Sequence, residues 1–217
     1  MAITTYGQLV SAVTEWLARD QDTTLVLRIP DFITLAEAKL NRELFVPQME
    51  KRSTTTVDTT SDEPEFISLP TDFQSMISLR LSNVTGKPPL RFLGAAQVDS
   101  LRYRSNNVTA QPAAYTIIGS EIELIPTPGQ DYTIEMVYRA IITPLNVDNT
   151  SNWLLLQAPD VYLYGTLLET APYLKEDSRI QTWLLGFKSA IDGLNRMRAR
   201  QSWDAAPAGV SLPGCTP

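Results

Sequence analysis

The chain has 217 residues, 43% of them hydrophobic, 19% charged and 8% aromatic, enough to bury a core in one domain or two small ones. Eighteen Lys and Arg against twenty-four Asp and Glu leave a net charge of -6, opposite in sign to the basic footprint of a duplex-binding domain. Histidine is absent and the one cysteine is Cys215, which excludes His-dependent triads, Cys-His nucleophiles, His-bearing zinc sites, intrachain disulfides and thiolate metal clusters.

The opening MAITTYGQLVSAV lacks the basic and apolar regions of a signal peptide, and no run approaches about 18 continuous apolar residues, so neither export nor a membrane span is expected. Thr5 and Gln8 form a capping box, after which Leu9, Val10, Val13, Trp16 and Leu17 recur at helical spacing. Following the polar run Arg19 to Thr24, Pro30 stands where a first helical residue should. Ile33, Ala36, Leu40 and Leu44 then predict a second helix over about 30–45, stopped by Pro47.

From about 50 to 145 the texture changes. Thr54, Thr55, Thr56 and Val57 are β-formers, and Ile77, Leu79 and Leu81 alternate with Ser78, Arg80 and Ser82, as in a half-buried strand. Gly119-Ser120 between Tyr115–Ile118 and Glu121–Ile125 reads as a two-residue hairpin turn. Tyr132, Ile134, Met136 and Tyr138 share one face of a further strand. Five to seven strands are expected, with one short helix over 94–104 buried through Val98 and Leu101, which argues for an antiparallel sandwich or barrel. Sequons at Asn83, Asn107 and Asn149 read as turn asparagines.

Helices return with Pro159, which opens one running to about Ala171 with Val161, Tyr164, Leu167, Leu168 and Ala171 inward and Pro172 closing it. Ile180, Leu184, Phe187, Ile191 and Leu194 then follow the 4-3-4-3 spacing of a helix-packing seam, extending to about Gln201. The expected class is α+β: residues 1–50 and 150–203 close one helical bundle, 51–149 form an inserted antiparallel β region, and 204–217 are an extended tail broken by proline and glycine. Trp16 and Trp183 fall on or beside helix stripes and are expected in the core.

Clustered acids at Asp58, Asp62, Glu63 and Glu65 lack the spacing of a calcium loop and read as a solvated turn, while Gly86-Lys87 lacks the glycine and helix of a phosphate loop. No catalytic, cofactor or metal residues are assigned, and the chain is not expected to be an enzyme. Arg196, Arg198 and Arg200 precede Trp203; Arg196 and Arg200 share a helix face and Arg198 lies across, consistent either with charge at a helix C-terminus or with partner docking. Val210, Leu212 and Pro213 are the apolar contacts of the tail, suited to a groove or a sheet edge.

The runs TYGQLVSAVTEWLARD, IPDFITLAEAKLNREL and FISLPTDFQSMISL together resemble podovirus-type head-to-tail adaptor proteins of tailed phages. The resemblance implies a helical bundle with a β insertion, assembled in the host cytoplasm and present in the virion as a twelve-membered ring beneath the portal protein. It implies three sets of contacts: the portal and neighbouring copies through the last helix and tail, and a tail nozzle or fibre protein through the β insertion. DNA would pass the ring without specific binding. Arg196, Arg198, Arg200, Trp203, Val210, Leu212 and Pro213 are the partner-contact candidates carried over in this way. Two alternatives stand beside it: another tail-completion or stopper ring protein, and a wall-degrading enzyme using carboxylates such as Glu63 or Glu65.

Overall fold

The computed structural model describes residues 2–19, 21–84, 88–105, 108–174 and 179–204, with side chains at 104, 105 and 198–204 left out of the description. In chain order the elements are α1 (Tyr6–Leu17), α2 (Thr23–Glu43), β1 (Glu50–Val57), β2 (Phe66–Ser68), β3 (Phe73–Leu81) and β4 (Arg91–Phe92). They continue with α3 (Ala95–Ser105), β5 (Ala114–Ile118), β6 (Glu121–Ile125), β7 (Tyr132–Ala140), α4 (Trp153–Gln157), α5 (Pro159–Leu174) and α6 (Ile180–Asp204). The fold is α+β and divides into two compact units at Gln48/Met49 and Ile141/Ile142: a helical unit from the two flanking stretches and a β unit from the middle.

In the helical unit, Thr5 caps α1 as its spacing predicts: the Gln8 N–H donates to the Thr5 hydroxyl at 3.4 Å, and the Thr5 N–H donates to Gln8 Oε1 at 3.2 Å. Helix α2 differs from expectation. It starts seven residues before Pro30, capped by Asp22, whose carboxylate accepts the Leu25 N–H at 3.0 Å. Leu25, Ile29, Phe32, Ile33, Ala36 and Leu40 form one buried stripe across the proline. Burial of about 1.5 to 3 kcal/mol per large side chain outweighs the roughly 3 kcal/mol of an interior proline, whose ring lies exposed. Pro172 likewise falls inside α5, which runs on to Leu174.

Helix α5 packs against α1, α2, α4 and α6, so burial spreads around it. Tyr162, Leu163 and Thr166 are buried with Val161, Leu167 and Ala171, whereas the expected Tyr164 and Leu168 are only half-buried. On α6 the deep positions are Trp183, Phe187 and Ile191. Trp16, expected in the core, is 46% exposed and meets Tyr164 edge-on at 5.8 Å. Helix α4 lies just before Pro159, in a stretch for which the sequence predicts no helix; Asn152 starts it by accepting the Leu155 N–H at 2.9 Å.

The β unit holds a three-stranded antiparallel sheet, β1-β7-β3, and a four-stranded sheet, β2-β6-β5-β4. Strand β4 runs parallel to β5, a departure from the all-antiparallel expectation. The Gly119-Ser120 hairpin forms as predicted, with Gly119 at φ 62°, where a side chain would be strained. Leu79, Leu81, Ile134, Met136 and Tyr138 of one sheet and Ile67, Tyr115, Ile122 and Leu124 of the other fill one core. Ile77 was expected there but is 47% exposed: the register of β3 against β7 slips between Met76 and Ser78, and the extra residue leaves the alternation. Leu101 is also exposed. Helix α3 buries Val98, which joins Ala114 and Ile125, and lies against the sheet through that short contact.

Candidate functional site

The helical unit is closed by side chains that accept backbone donors far away in sequence. Glu37, in the buried stripe of α2, accepts the Leu145 N–H at 2.8 Å and the Tyr162 hydroxyl at 3.0 Å. One turn on, Asn41 accepts the Ile142 N–H at 2.8 Å. The Asn152 amide donates to Tyr162 Oη at 2.6 Å and to the Thr143 carbonyl at 2.8 Å. Burial pushes the Glu37 carboxyl above the usual carboxylate range, against the lowering effect of its two donors. The Tyr162 phenol is pushed up by burial and then by the charge of Glu37.

Helix α6, which carries four of the sequence-predicted contact residues, is seated by three polar anchors. Arg179, just before it, stacks its guanidinium 5.1 Å from the Trp183 ring and donates to the Trp16 carbonyl at 3.1 Å. Lys39 lies 5.1 Å above Phe187 and pairs with Glu169 at 3.8 Å. Gly165 lets the Phe187 ring close on α5, since a Cβ there would stand 3.0 Å from it. Asn195 then caps the end of α2: its carbonyl accepts the Phe45 N–H at 2.9 Å and its amide donates to the Glu43 carbonyl at 3.2 Å.

Beyond Asn195 the helix continues to Asp204, a rise of about 13 Å at about 1.5 Å per residue. Arg196 is exposed there. Arg198, Arg200 and Trp203 lie on the same helix, though their side chains are not among those described. Val210, Leu212 and Pro213 lie outside the described residues, as do Asn107 and Gly86-Lys87. Asn83 and Asn149 donate to the carbonyls of Asp131 and Pro144, in keeping with turn roles.

The β unit presents two further surfaces. On the outer face of the three-stranded sheet, Glu135 of β7 is buried beneath Arg52 of β1 and Arg80 of β3, both of which donate to it. The hydrogen bond from Arg52, joined by Arg80, holds its carboxyl below the usual range. On the four-stranded sheet, Arg102 of α3 pairs with the buried Glu123. An apolar cavity of about 370 Å³ lies among Leu81, Pro88, Pro89, Leu90, Pro112 and Ala113, with Arg91 and Gln111 at its sides.

The acidic stretch behaves as a turn: Asp58 accepts the Thr60 N–H at 2.8 Å, and Asp131 accepts the Thr59 N–H at 3.0 Å. Among the described residues no group of acids, cysteines or histidines is arranged to hold a metal ion, and no helix is long and apolar enough to cross a membrane. The polar groups are arranged for fixing segments and presenting surfaces. Sequence patterning misses Glu37, Asn41, Asn152 and Asn195 because their partners are distant. One signal was visible, an acid at position 37 on the same helical face as Ile33 and Leu40.

A family model described as SU10 adaptor protein matches residues 4–211. No curated protein matches the chain. The match spans both flanking helical stretches and the β unit, and the chain belongs to the SU10 adaptor protein family, in agreement with its resemblance to phage head-to-tail adaptors.

Proposed function

We propose that this member of the SU10 adaptor protein family is a structural virion protein, a head-to-tail adaptor that forms a ring joining the portal to the tail and lining part of the DNA channel. The family match over 4–211 carries this proposal. The seating of α6 supports it: a helix locked by Trp183, Phe187 and Asn195 offers a stiff end for contact with a partner. On that basis Arg196, Arg198, Arg200 and Trp203, followed by Val210, Leu212 and Pro213, contact the portal protein or a neighbouring copy. A tail nozzle or fibre protein meets the β unit. The net charge of -6 suits passage of DNA with little affinity for it.

The test is sedimentation of the purified chain alone and mixed with the portal protein of the same phage. The expected result is a portal-bound ring of about twelve copies, a closed symmetric assembly. Removal of residues 205–217 weakens that binding while leaving the helical unit folded. Absence of binding at micromolar concentration in moderate salt overturns the proposal, and submicromolar duplex binding at physiological ionic strength overturns the part concerning DNA.

A further inference from the structure

Among the described residues, unpaired charge of opposite sign stands at the two lateral edges of the β unit, while Lys51 and Arg52 of β1 are paired with Asp72 and Glu135. Its sheets run β1-β7-β3 and β2-β6-β5-β4. Residues of β1 (Thr55, Val57) and of β2 (Phe66, Ser68) line one shared pocket, so these two strands lie on the same side. On the opposite side the Leu90 N–H, directly before β4, donates to the Leu79 carbonyl of β3 at 2.7 Å. One edge is therefore β1/β2 and the other β3/β4.

The β1/β2 edge ends in the connection 58–65, where Asp58, Asp62, Glu63 and Glu65 stand with no Lys or Arg, a charge of -4. Asp62 and Glu63 are exposed, and neither has an ion-pair partner among the described residues. The β3/β4 edge presents Arg91, exposed and also without an ion-pair partner among the described residues, at the side of the proline-lined cavity. Lys51 and Arg52 of β1 reach Asp72 and Glu135 across the sheet, whereas Asp62 and Glu63 form no ion pair with Arg91 within a copy. Between copies they can.

We infer that the 58–65 connection of one copy docks on the β3/β4 edge of the next, with Asp62 and Glu63 against Arg91 and the half-exposed Pro64 against the cavity of Pro88, Pro89 and Pro112. A second copy is the favoured occupant because the complementary edge is present on every copy. The two complementary edges lie at opposite ends of the strand orders, so one two-fold contact cannot join both pairs at once and the contact is head-to-tail, the kind that repeats into a ring when its rotation closes. This inference rests on the ring proposed above and assigns its subunit contact.

The experiment is charge reversal in the full chain, read by sedimentation with the portal protein. Arg91→Glu alone and Asp62→Lys with Glu63→Lys each raise the concentration needed for ring formation by about tenfold or more, and the triple variant recovers it. Circular dichroism verifies that each variant is folded. An independent measurement uses Arg91→Lys with carbodiimide crosslinking in a mixture of isotopically light and heavy chains, where links from 91 to 62 or 63 are expected between chains. Rings that form with undiminished affinity in both reversals, or the absence of such links in rings that do form, overturn this contact and leave the ring standing. If the natural chain forms no ring, the ring proposal fails first and this inference with it.

Discussion

Glu37→Ala removes an acceptor from two donors at once, the Leu145 N–H at 2.8 Å and the Tyr162 hydroxyl at 3.0 Å, inside a site where Glu37 itself is 4% exposed. A buried donor left without a partner costs about 1 to 3 kcal/mol, and relief of a desolvated carboxylate returns part of that. The net loss expected is about 3 kcal/mol, a fall in Tm of about 6 to 12 °C for a chain of this length. All four tryptophans, at 16, 153, 183 and 203, belong to the two flanking stretches, so their emission during denaturant or thermal unfolding reports on the helical unit. Glu37→Gln keeps one oxygen acceptor without the charge and loses less than half as much. Equal losses in the two variants, or a Glu37→Ala loss under about 0.5 kcal/mol, would refute the assignment of these bonds as a closure of the unit.

The pH dependence has a definite sign. Burial raises the folded carboxyl of Glu37 above its ordinary value, so the folded state binds this proton more tightly than the unfolded chain does. Its contribution to stability is therefore complete below the unfolded value and falls as pH rises through that value to the folded one. Above both, the carboxylate carries its full desolvation cost. Glu37→Gln flattens the tryptophan-detected stability across that window, and an unchanged slope would argue against a titrating group at this position.

Three other outcomes follow from separate parts of the chain. Glu135 is held low in the fold by Arg52 and then Arg80, so its contribution is present above the unfolded value and lost as pH falls through the folded one; Glu135→Gln removes that acid-side loss, seen in far-ultraviolet dichroism of the β unit. Phe187→Ala, at a side chain 1% exposed and in contact with Gly165, costs about 3 to 5 kcal/mol in tryptophan-detected unfolding; a loss below about 1 kcal/mol would show that α6 is not anchored there. Pro30→Ala supplies the missing N–H in an exposed turn of α2 and raises stability by about 1 to 2 kcal/mol, less than the full helix-propensity gap because the unfolded chain also gains freedom; destabilisation would contradict a continuous helix through that position.

Local signals were legible wherever one segment determined its own structure. The Thr5 and Gln8 box, the Gly119-Ser120 turn and the alternation of Tyr132, Ile134, Met136 and Tyr138 all depend on neighbours in sequence. The start of α2 is not legible locally, because Pro30 is a strong local stop and a buried stripe beginning at Leu25 is required to override it. Ile77 leaves the expected face because a bulge changes the side-chain period without any mark in composition. Of the candidate contact residues, only the helical placement of 196–203 could be read from spacing. The anchors that seat that helix have no local signature: Asn195 meets Phe45 across 150 positions.

That separation explains what the polar closures accomplish. Inserting some 90 residues between the two halves of the helical unit costs little in stability, since loop-closure entropy grows by only about 0.6 kcal/mol per doubling of length. Apolar stripes alone would bring the returning chain back to α2, yet such stripes tolerate sliding and repacking with modest loss. A buried amide donor does not, because a shift of one residue leaves it unpaired. Glu37 and Asn41, one turn apart on α2, take the amides of Leu145 and Ile142, and so fix the register of the segment leading to α4. Asn195 does the same for α6 against the end of α2. The position of the helix that carries Arg196 to Trp203 is thereby set by a few hydrogen bonds over long sequence distances, and changes at these asparagines should alter the partner contacts proposed above without touching any of the residues proposed to make them.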